Sequence, residues 1–517
     1  MATGFIASYP SDHIAMLLKN RTHFLLLPLL CATALFIVGQ SPNISGVWSL
    51  RVSNNDGTYH TTFLKLKQSG DALTGSIVSN YREMPIADGT FKDGKVHFVV
   101  GNPPRQRSFD GSVEGDRLKL QVKGSNGKIL DEGSAGRSSA EIAAPPTPLP
   151  VPALHDIPDN GLARTPPMGW NSWNHFARRI DDKTVRAMTD AMVTSGMKDA
   201  GYIYVNIDDA WQGSRDSAGN IQANTKFPDM KALADYVHSK GLKIGLYSSP
   251  GPTTCAAYEG SFGHEKQDAN IYAKWGFDYL KYDWCSAGSI YKDSDMRPVY
   301  QKMGDALKAT GRPIVFSLCQ YGRDNVWDWG AKVGGNLWRT TGDIRDSWDS
   351  MESIGFRQLE IAPFAKVGHW NDPDMLEVGN GGMTDDEYRT HMGIWAMLRA
   401  PLLAGNDIRT MSDSTKAILM NRDVIAIDQD AAGKPARLLK KEGDTEIWIR
   451  PLSKGATAIA FFNKGDQAAH VSLDWSEVGG KRPQKGTDLW SGHDFKPSGS
   501  SYSASVPVHG TVLLRVM

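Results

Sequence analysis

Several features that would mark common classes of protein are scarce in this sequence or missing from it. The 517 residues include four cysteines and no close Cys/His spacing of the kind that holds structural zinc. Lys plus Arg equals Asp plus Glu at 57 each, and a net charge of zero gives no electrostatic footprint for nucleic acid. No Gly-rich phosphate loop follows an apolar run, and no Gly-x-Ser-x-Gly nucleophile elbow is present. What remains, 40% hydrophobic and 22% charged residues, is typical of a multidomain globular protein.

The longest apolar run lies near the N-terminus. Lys19 and Arg21 precede residues 24–38 (FLLLPLLCATALFIV), and small residues follow. This pattern is typical of a cleaved secretory signal, because a helix that spans a bilayer needs about 20 apolar residues. We expect residues 1–40 to be a signal peptide, with a retained N-terminal anchor as the alternative. The mature protein is then secreted or periplasmic, without stable membrane insertion.

Residues 41–137 show short alternating runs, such as 61–66, 95–100 and 117–122. Alternation with a period of two, together with Asp-Gly pairs at 56–57, 93–94 and 110–111, predicts antiparallel strands in a small barrel or sandwich. No group of acids, bases or metal ligands occurs here, so an accessory, docking or spacer role is expected. Residues 138–160 are rich in Pro and Ala, which predicts a semi-rigid linker.

Residues 161–433 alternate short apolar runs with amphipathic helical patterns. Eight strands alternating with helices predict a multidomain α/β protein whose centre is a (β/α)₈ barrel, with an open doubly wound sheet as the competitor. Residues 434–517 return to alternation, which predicts a C-terminal antiparallel β-sandwich. The predicted barrel strands are 168–170, 202–207, 243–247, 277–282, 313–318, 337–341, 369–370 and 401–404.

Polar side chains repeatedly follow these apolar strands. A single Asp in such a place is usually a helix cap or a loop ion pair, but the strand ends of a barrel converge on one pocket. Carboxylates and an aromatic side chain in one pocket suit a polyol ligand. The residues concerned are Trp173, Asp208, Asp209, Tyr247, Lys281, Asp283, Gln320, Arg339, Asp343, Asp372 and Asp374.

Five motifs in order make the chain resemble glycoside hydrolase family 27, the α-galactosidase and α-N-acetylgalactosaminidase family. The resemblance runs from about residue 163 to the C-terminus and leaves out residues 44–155. It implies a retaining glycosidase with a (β/α)₈ barrel and a C-terminal antiparallel β domain. The motifs are 166–173 (PPMGWNSW), 207–209 (IDD), 279–283 (YLKYD), 339–344 (RTTGDI) and 370–375 (WNDPDM).

The resemblance implies that Asp283 is the nucleophile and Asp343 the general acid/base. The expected reaction removes terminal α-D-galactosyl residues from oligo- or polysaccharides by double displacement, with carboxyl groups about 5–5.5 Å apart. No metal or organic cofactor is expected, since two carboxylates and water suffice. The resemblance places these residues around the galactose: Trp173, Asp208, Asp209, Tyr247, Lys281, Arg339 and Asp374.

The proposed division of labour is physically reasonable. Lys281 is expected to favour the ionised form of Asp283, which must attack as a carboxylate. Asp343 must hold a proton, which burial or a neighbouring carboxylate would favour. Asp346 is the rival for the acid/base role, but its position before a predicted helix indicates a cap.

Cysteine placement also resembles the family. The family's disulfide corresponds to Cys255 and Cys285, which would tie the nucleophile's loop to the loop after the third strand. Some relatives have a partner for Cys319, but this chain has Gly334 and Gly335 where that cysteine would stand. We therefore expect Cys319 to be a free, buried thiol.

The sequence departs from the family after the fifth strand, where Gln320 takes the place of a common Glu. An amide of this length can bind the sugar's 2-hydroxyl and occupies space that an acetamido group would need, so galactose is favoured over N-acetylgalactosamine. Asp208 and Asp209 together favour galactose over β-L-arabinopyranose, although activity on both remains an alternative. A sugar-binding protein without catalysis is the non-enzymatic alternative, and oligomeric state is left open.

Overall fold

The protein is described here by a computed structural model that covers residues 43–53, 59–103, 106–125, 127, 129–479 and 482–517. The predicted signal peptide lies outside the described residues. Residues 43–517 belong to one compact unit. No helix in the described part of the chain is both long and apolar enough to span a bilayer.

The N-terminal domain is a closed barrel of eight antiparallel strands, in which β1 pairs with β2 and with β8. Alternate side chains point inward, as Leu118, Leu120 and Val122 do in one strand, and they pack around the buried Trp48. The strands are β1 Gly46–Ser53, β2 Tyr59–Ser69, β3 Ala72–Ser79, β4 Arg82–Lys92, β5 Lys95–Val100, β6 Arg107–Glu114, β7 Arg117–Gly124 and β8 Ile129–Arg137.

The three Asp-Gly pairs of this domain have different outcomes. Asp93-Gly94 forms the β4–β5 turn, as predicted, with both residues at positive φ. Asp110-Gly111 lies inside β6, and the prediction of a turn there is wrong. Asp110 instead accepts a hydrogen bond from His97 on β5 (2.7 Å), and a Cβ at Gly111 would lie 1.9 Å from the Lys119 carbonyl oxygen on β7. Residues 56–57 lie outside the described part of the chain.

Residues 138–167 contain neither helix nor strand, and residues 153–157 lie against the central domain. Gln301 binds the segment at two positions. Its side chain accepts from the His155 N–H (3.0 Å) and donates to the Ala153 carbonyl (2.9 Å). Ile157 is buried with 7% of its surface exposed, and its N–H donates to the Lys332 carbonyl (2.8 Å). The Pro-rich composition therefore gives an extended strap whose second half is packed against the barrel.

The central domain is built on eight parallel strands, and the predicted (β/α)₈ barrel is confirmed. All eight predicted strands are present, most of them shortened at one end or both. The sheet order is β17-β16-β15-β14-β13-β10-β9-β18. The strands are β9 Met168–Asn171, β10 Tyr204–Asn206, β13 Lys243–Ser248, β14 Tyr279–Asp283, β15 Val315–Cys319, β16 Leu337–Arg339, β17 Trp370–Asp372 and β18 Leu402–Ala404, with a small hairpin of β11 Gln212–Arg215 and β12 Ile221–Ala223 inserted after β10.

The ring closes through the segment that follows β17. The Leu376 N–H donates to the Leu403 carbonyl (2.8 Å), and the Gly405 N–H donates to the Leu376 carbonyl (2.9 Å). These bonds give a parallel bridge between Leu376 and Ala404 of β18. Every strand therefore ends at the same mouth, as in other parallel barrels.

Helices surround the barrel with their apolar faces inward. In the second helix Val185, Met188 and Met192 share the buried face, as the spacing predicts. The helices are α1 Trp173–Phe176, α2 Asp182–Thr194, α3 Met230–Ser239, α4 Glu265–Trp275, α5 Met296–Ala309, α6 Val326–Trp329, α7 Trp348–Gly355, α8 Asp385–Leu398, α9 Asp413–Leu419 and α10 Arg422–Asp428.

The C-terminal domain is the predicted antiparallel β-sandwich. Its six-stranded sheet has the order β19-β20-β21-β26-β23-β24, and β22 with β25 forms the second sheet. Trp448 and Phe462 pack edge-on against Phe356 of the central domain, so the two domains share apolar surface. The elements are β19 Arg437–Glu442, β20 Thr445–Pro451, β21 Thr457–Asn463, β22 Ala469–Asp474, α11 Ser476–Gly479, β23 Gly486–Asp488, β24 Asp494–Phe495, β25 Ser501–Val506 and β26 Thr511–Val516.

The packing of the strap predicts that Ile157→Ala destabilises the central domain. Truncating a buried Ile to Ala costs about 2–5 kcal/mol, because apolar contacts are lost and a cavity is left. Leu154→Ala is the matched control on the same strap, since Leu154 is 52% exposed and a surface truncation changes stability by about 0.5 kcal/mol or less. Calorimetry should show a lower Tm for the Ile157 variant alone. Equal Tm values for the two variants would contradict the packed strap.

Candidate active site

One pocket at the mouth of the barrel gathers nearly all of the side chains that the strand ends singled out. The pocket is small, with a cavity volume of about 90 Å³. Gln320 and Asp372 do not line it, although both are buried nearby. Its lining comprises Trp173, Asn174, Asp208, Asp209, Tyr247, Cys255, Lys281, Asp283, Tyr321, Arg339, Asp343, Asp374 and Met375.

Asp283 occupies the last position of β14, with Lys281 two residues earlier on the same face of the strand. Its carboxylate accepts hydrogen bonds from the hydroxyls of Tyr321 (2.5 Å to Oδ1) and Tyr247 (3.0 Å to Oδ2). Two donors on two different oxygens fix the orientation of the carboxylate in the pocket. Such a group is placed and held as a nucleophile requires.

Burial dominates the charge balance at Asp283. It raises the pKa of this carboxyl to about 7, and the nearby charge of Asp343 raises it too, while Lys281 and the Tyr321 hydroxyl lower it. The expected help from Lys281 is therefore present but outweighed. The ammonium of Lys281 forms its close ion pair with Asp208 instead (2.8 Å).

Asp208 and Asp209 follow β10 and are both buried. Asp208 Oδ2 accepts from the Asn171 amide (2.8 Å) as well as from Lys281. Asp209 accepts from two backbone N–H groups, those of Ala210 and Ala256 (both 2.7 Å). Burial raises the pKa of Asp209 to about 6, and the backbone bond from Ala256 opposes that rise. The two neighbouring carboxylates thus have different partners and are held separately.

Arg339 ends β16 and joins two carboxylates. Its Nη2 lies 2.8 Å from Asp374 Oδ2 and 3.2 Å from Asp343 Oδ1. Asp374 is also held by the backbone N–H groups of Ile344 and Met375 (both 2.9 Å). Asp343 differs from every other carboxylate of the pocket because 61% of its side chain is exposed. The burial expected for Asp343 is absent, and the group stands at the mouth, where a leaving group would cover it.

Cys255 and Cys285 form a disulfide, with Cα atoms 4.9 Å apart, beside the nucleophile candidate. The hydroxyl of Tyr247 lies 3.1 Å from the Cys285 sulfur. Among the described residues, Cys255, Asp283 and Cys285 form the one cluster with metal-ligand spacing, but both sulfurs are in the disulfide. Cys319 is buried and outside any disulfide.

Gln320, which the sequence placed among the sugar contacts, does not line the pocket, and its neighbour Tyr321, to which the sequence gave no role, does. The Gln320 amide is fully buried, without a hydrogen-bond partner among the described residues, while Tyr321 reaches the pocket. Tyr321 has a φ of +64°, and a Cβ at Gly322 would lie 2.2 Å from the Thr340 carbonyl oxygen. This tight turn points the Tyr321 side chain into the pocket. In the sequence, Gly322 is the residue that indicates a turn at this place.

Asp346 is not the helix cap that its position indicated. Ser347 is the N-cap residue of α7, and its side chain makes no capping bond. The Asp346 carboxylate instead accepts from the Gly382 N–H (2.5 Å) and the Tyr388 hydroxyl (2.9 Å). These bonds join the loop after β16 to the loop before α8. Asp346 therefore bonds Gly382 and Tyr388, which are distant in sequence, rather than the N-terminal N–H groups of α7.

A parallel eight-stranded barrel whose mouth holds paired carboxylates, two cations and an aromatic wall defines a glycoside hydrolase of the barrel type. The family model described as "Alpha galactosidase A" matches residues 165–430, and that described as "Alpha galactosidase C-terminal beta sandwich domain" matches residues 442–516. The chain belongs to the alpha-galactosidase family, glycoside hydrolase family 27. It is a hydrolase of α-galactosides.

Relatives with curated names support this membership. Alpha-galactosidase A of Cellvibrio japonicus is 48% identical over 383 residues, which cover 69% of this chain and 92% of the relative. The alpha-galactosidase of Cyamopsis tetragonoloba is 48% identical over 362 residues, which cover 68% and 86%. The family matches begin at residue 165, so the N-terminal barrel lies outside them.

Solved structures agree. Alpha-galactosidase I from Mortierella vinacea has a TM-score of 0.68 at 38% identity and covers 70% of this chain and 98% of its own. An alpha-galactosidase from Saccharomyces cerevisiae, solved with raffinose, has a TM-score of 0.64 at 30% identity and covers 69% and 98%. A β-L-arabinopyranosidase from Geobacillus stearothermophilus shares the fold at 24% identity.

The raised pKa of Asp283 predicts that Asp283→Asn stabilises the protein while removing its activity. An unfolded Asp titrates near 3.9 and the buried one near 7, so the native state binds more protons between these values. Stability contributed by this group is therefore lost as pH rises from about 4 to 7. The Tm of the variant, followed by calorimetry, should exceed that of the wild type increasingly over this window. A constant difference between pH 4 and pH 7.5 would contradict the burial argument.

Proposed function

We propose that Asp283 attacks the anomeric carbon and that Asp343 serves as general acid and then as general base. The carboxylate of Asp283 is buried and held by two tyrosine hydroxyls, which suits a group that must attack along one line. Asp343 is on the open side of the same pocket, beside Arg339, where a departing oxygen and an incoming water pass. The double displacement then releases galactose with its configuration retained.

The remaining pocket residues are proposed to recognise galactose. Asp208 and Asp209 are buried carboxylates side by side, and charged acceptors bind hydroxyl groups more strongly than neutral ones. Trp173 packs against Ala210, Ala256 and Tyr258 and presents an apolar wall to the sugar. Two adjacent charged acceptors suit the 4- and 6-hydroxyls of galactose. This favours galactose over β-L-arabinopyranose, which lacks the hydroxymethyl group.

The substrate is proposed to be a galactose-terminated oligo- or polysaccharide. Asp208 and Asp209 of the pocket are buried, whereas Asp343 is exposed, and a pocket open on one side supports the removal of single terminal residues. The relative that was solved with raffinose supports an oligosaccharide substrate. Gln320 is not free to touch an acetamido group, since its amide is fully buried. Discrimination against N-acetylgalactosamine is therefore assigned to the shape of the pocket around Tyr321.

Export to an oxidising compartment is also proposed. It is supported by Lys19 and Arg21 before the apolar run of residues 24–38, together with the disulfide between Cys255 and Cys285. Neither nucleic acid nor a membrane is proposed as a partner.

The acid/base assignment predicts that Asp343→Ala has a strongly leaving-group-dependent effect. Hydrolysis of unactivated galactosides should fall by about 10²-fold or more, because an unassisted alkoxide is a poor leaving group. An aryl galactoside with an acidic phenol should lose far less in its first step, and azide, which needs no general base, should speed its turnover. Steady-state kinetics on the two substrates measure this difference.

Asp346→Ala is the matched control for this prediction, since Asp346 is three residues away and binds Gly382 and Tyr388 outside the pocket. In the Asp346→Ala variant, hydrolysis of the unactivated and of the aryl galactoside should change by the same factor. If Asp343→Ala also affected both substrates equally and did not respond to azide, Asp343 would not be the acid/base.

The nucleophile assignment predicts that Tyr321→Phe moves the acidic limb of kcat/KM to higher pH. Asp283 must be ionised to attack, so activity rises as pH rises through its pKa. The Tyr321 hydroxyl lowers that pKa, and its removal should move the limb upward by about one to two units, since a hydrogen bond to a charged group is worth about 1.5–3 kcal/mol. Tyr236→Phe, on the outer helix α3, deletes a hydroxyl without touching the pocket and should leave the profile unchanged. A shift to lower pH in the Tyr321 variant would contradict the assignment.

A further inference from the structure

Residues 253–258 form a rim segment between the N-terminal barrel and the sugar pocket. On the pocket side, the Ala256 N–H donates to Asp209 Oδ2 (2.7 Å), and Ala256 packs with Tyr258 behind Trp173. Cys255 itself lines the pocket and carries the disulfide. The rim segment therefore contacts both a carboxylate and the aromatic wall of the galactose site.

Asn80 of the N-terminal barrel binds the other side of the rim segment. The amide of Asn80 donates from Nδ2 to the carbonyls of Thr254 (3.1 Å) and Cys255 (3.3 Å). Its Oδ1 accepts from the Thr253 hydroxyl (3.5 Å). Three consecutive residues of the rim segment are thus held from a domain that the family matches leave out.

The turn that carries Asn80 is shaped for this contact. Asn80 and Tyr81 connect β3 to β4 with φ values of +49° and +63°. Asn tolerates the left-handed region better than most residues. At position 80 it therefore fits the backbone of the turn and also supplies the amide that donates to the rim segment. Glycine would satisfy the backbone alone. The amide is thus not needed for the turn itself.

Charged side chains also meet at this interface. Burial raises the pKa of Asp131 on β8 and of Asp209, and Arg178, next to α1, lowers both. The positive charge of Arg107 on β6 acts against that of Arg178. The guanidinium of Arg178 also lies 6.0 Å from the ring of Tyr258 in the rim segment. Attraction and repulsion are both present, so the hydrogen bonds of Asn80 define the contact with the rim segment.

We propose that Asn80 is a positioning residue for the galactose site, acting through the backbone of Thr254 and Cys255. It holds the rim segment so that the Ala256 N–H meets Asp209 and the wall behind Trp173 stays in place. The N-terminal barrel is then part of the binding machinery rather than a spacer. This inference rests on the proposed galactose site and adds a second domain to it.

The test compares Asn80→Gly with Asp93→Gly in the full chain. Asp93 stands first in the β4–β5 turn, with φ of +50°, and is exposed, so its variant makes the same change of backbone in an equivalent turn. Asn80→Gly should raise KM for an aryl α-galactoside and the inhibition constant of free galactose by about three- to tenfold, as expected for the loss of one or two hydrogen bonds. Its kcat should stay within about twofold, because Asp283 and Asp343 are untouched. Asp93→Gly should change neither constant.

A second variant, Asn80→Asp, tests the direction of the hydrogen bonds. It keeps the size of the side chain and its tolerance of positive φ but places an oxygen against two carbonyl oxygens. Galactose should bind this variant more weakly than it binds Asn80→Gly. Because the aspartate keeps the turn, this variant also decides the matter if Asn80→Gly fails to fold, as judged by its Tm.

Two results would overturn the proposal. One is a galactose inhibition constant in both Asn80 variants that matches Asp93→Gly. The other is a fall in kcat with KM unchanged, which would place the effect on the nucleophile. Failure of the proposed galactose site itself would be recognised separately, since the wild-type protein would then not be inhibited by galactose at all.

Discussion

The site depends on keeping several carboxylates buried at one end of a barrel. Asp208, Asp209, Asp283, Asp372 and Asp374 are each at most 5% exposed, and the cations among them are the buried Arg339 and the half-buried Lys281. Five acids against two bases leave negative charge that hydrogen bonds or protonation must offset, and burial raises the pKa of Asp209 and Asp372 to about 6 and of Asp283 to about 7. A sugar brings hydroxyl groups that donate hydrogen bonds to these carboxylates. The excess of buried carboxylates therefore favours binding of a polyol, and it lowers the stability of the protein when the pocket is empty.

The scaffold offsets that cost both far from the pocket and beside it. The apolar core of the barrel is continuous with the face of the C-terminal sandwich, where Trp448 and Phe462 meet Phe356. Next to Asp283, the disulfide between Cys255 and Cys285 closes a loop of about 30 residues, which is worth on the order of 3–4 kcal/mol by chain entropy. Stability is thus concentrated around the strands whose ends carry the charges.

The sequence predicted what local pattern determines and missed what distant contacts determine. Eight apolar runs gave the barrel, and the residues after them gave most of the pocket, because parallel strands end at one mouth. Asp346 resembled a helix cap, yet Gly382 and Tyr388, about 40 residues later, take its oxygens. Gln320 has the right length for a sugar contact, but the left-handed turn at Tyr321 leaves Gln320 buried behind the pocket and points Tyr321 into it. No periodicity in residues 41–137 could show that Asn80 would meet Cys255.

The loops around the pocket are held in position in two ways, by contacts within the barrel and by contact with the N-terminal domain. Ala210, Tyr321 and Asp374 have φ values of +83°, +64° and +102°, which cost non-glycine residues of order 1–3 kcal/mol each and persist only where the surroundings hold them. Each lies beside or within the pocket, and each is fixed by contacts of the barrel itself. The rim segment that carries Ala256 belongs to a long loop after β13, which the barrel holds through the disulfide and through the Ser286 hydroxyl, bonded to the N–H and the carbonyl of Thr253. Asn80 of the second domain adds hydrogen bonds to this loop from outside the barrel. In the proposed site, Asp209 binds a sugar hydroxyl, and its backbone partner Ala256 must be in place before the sugar arrives.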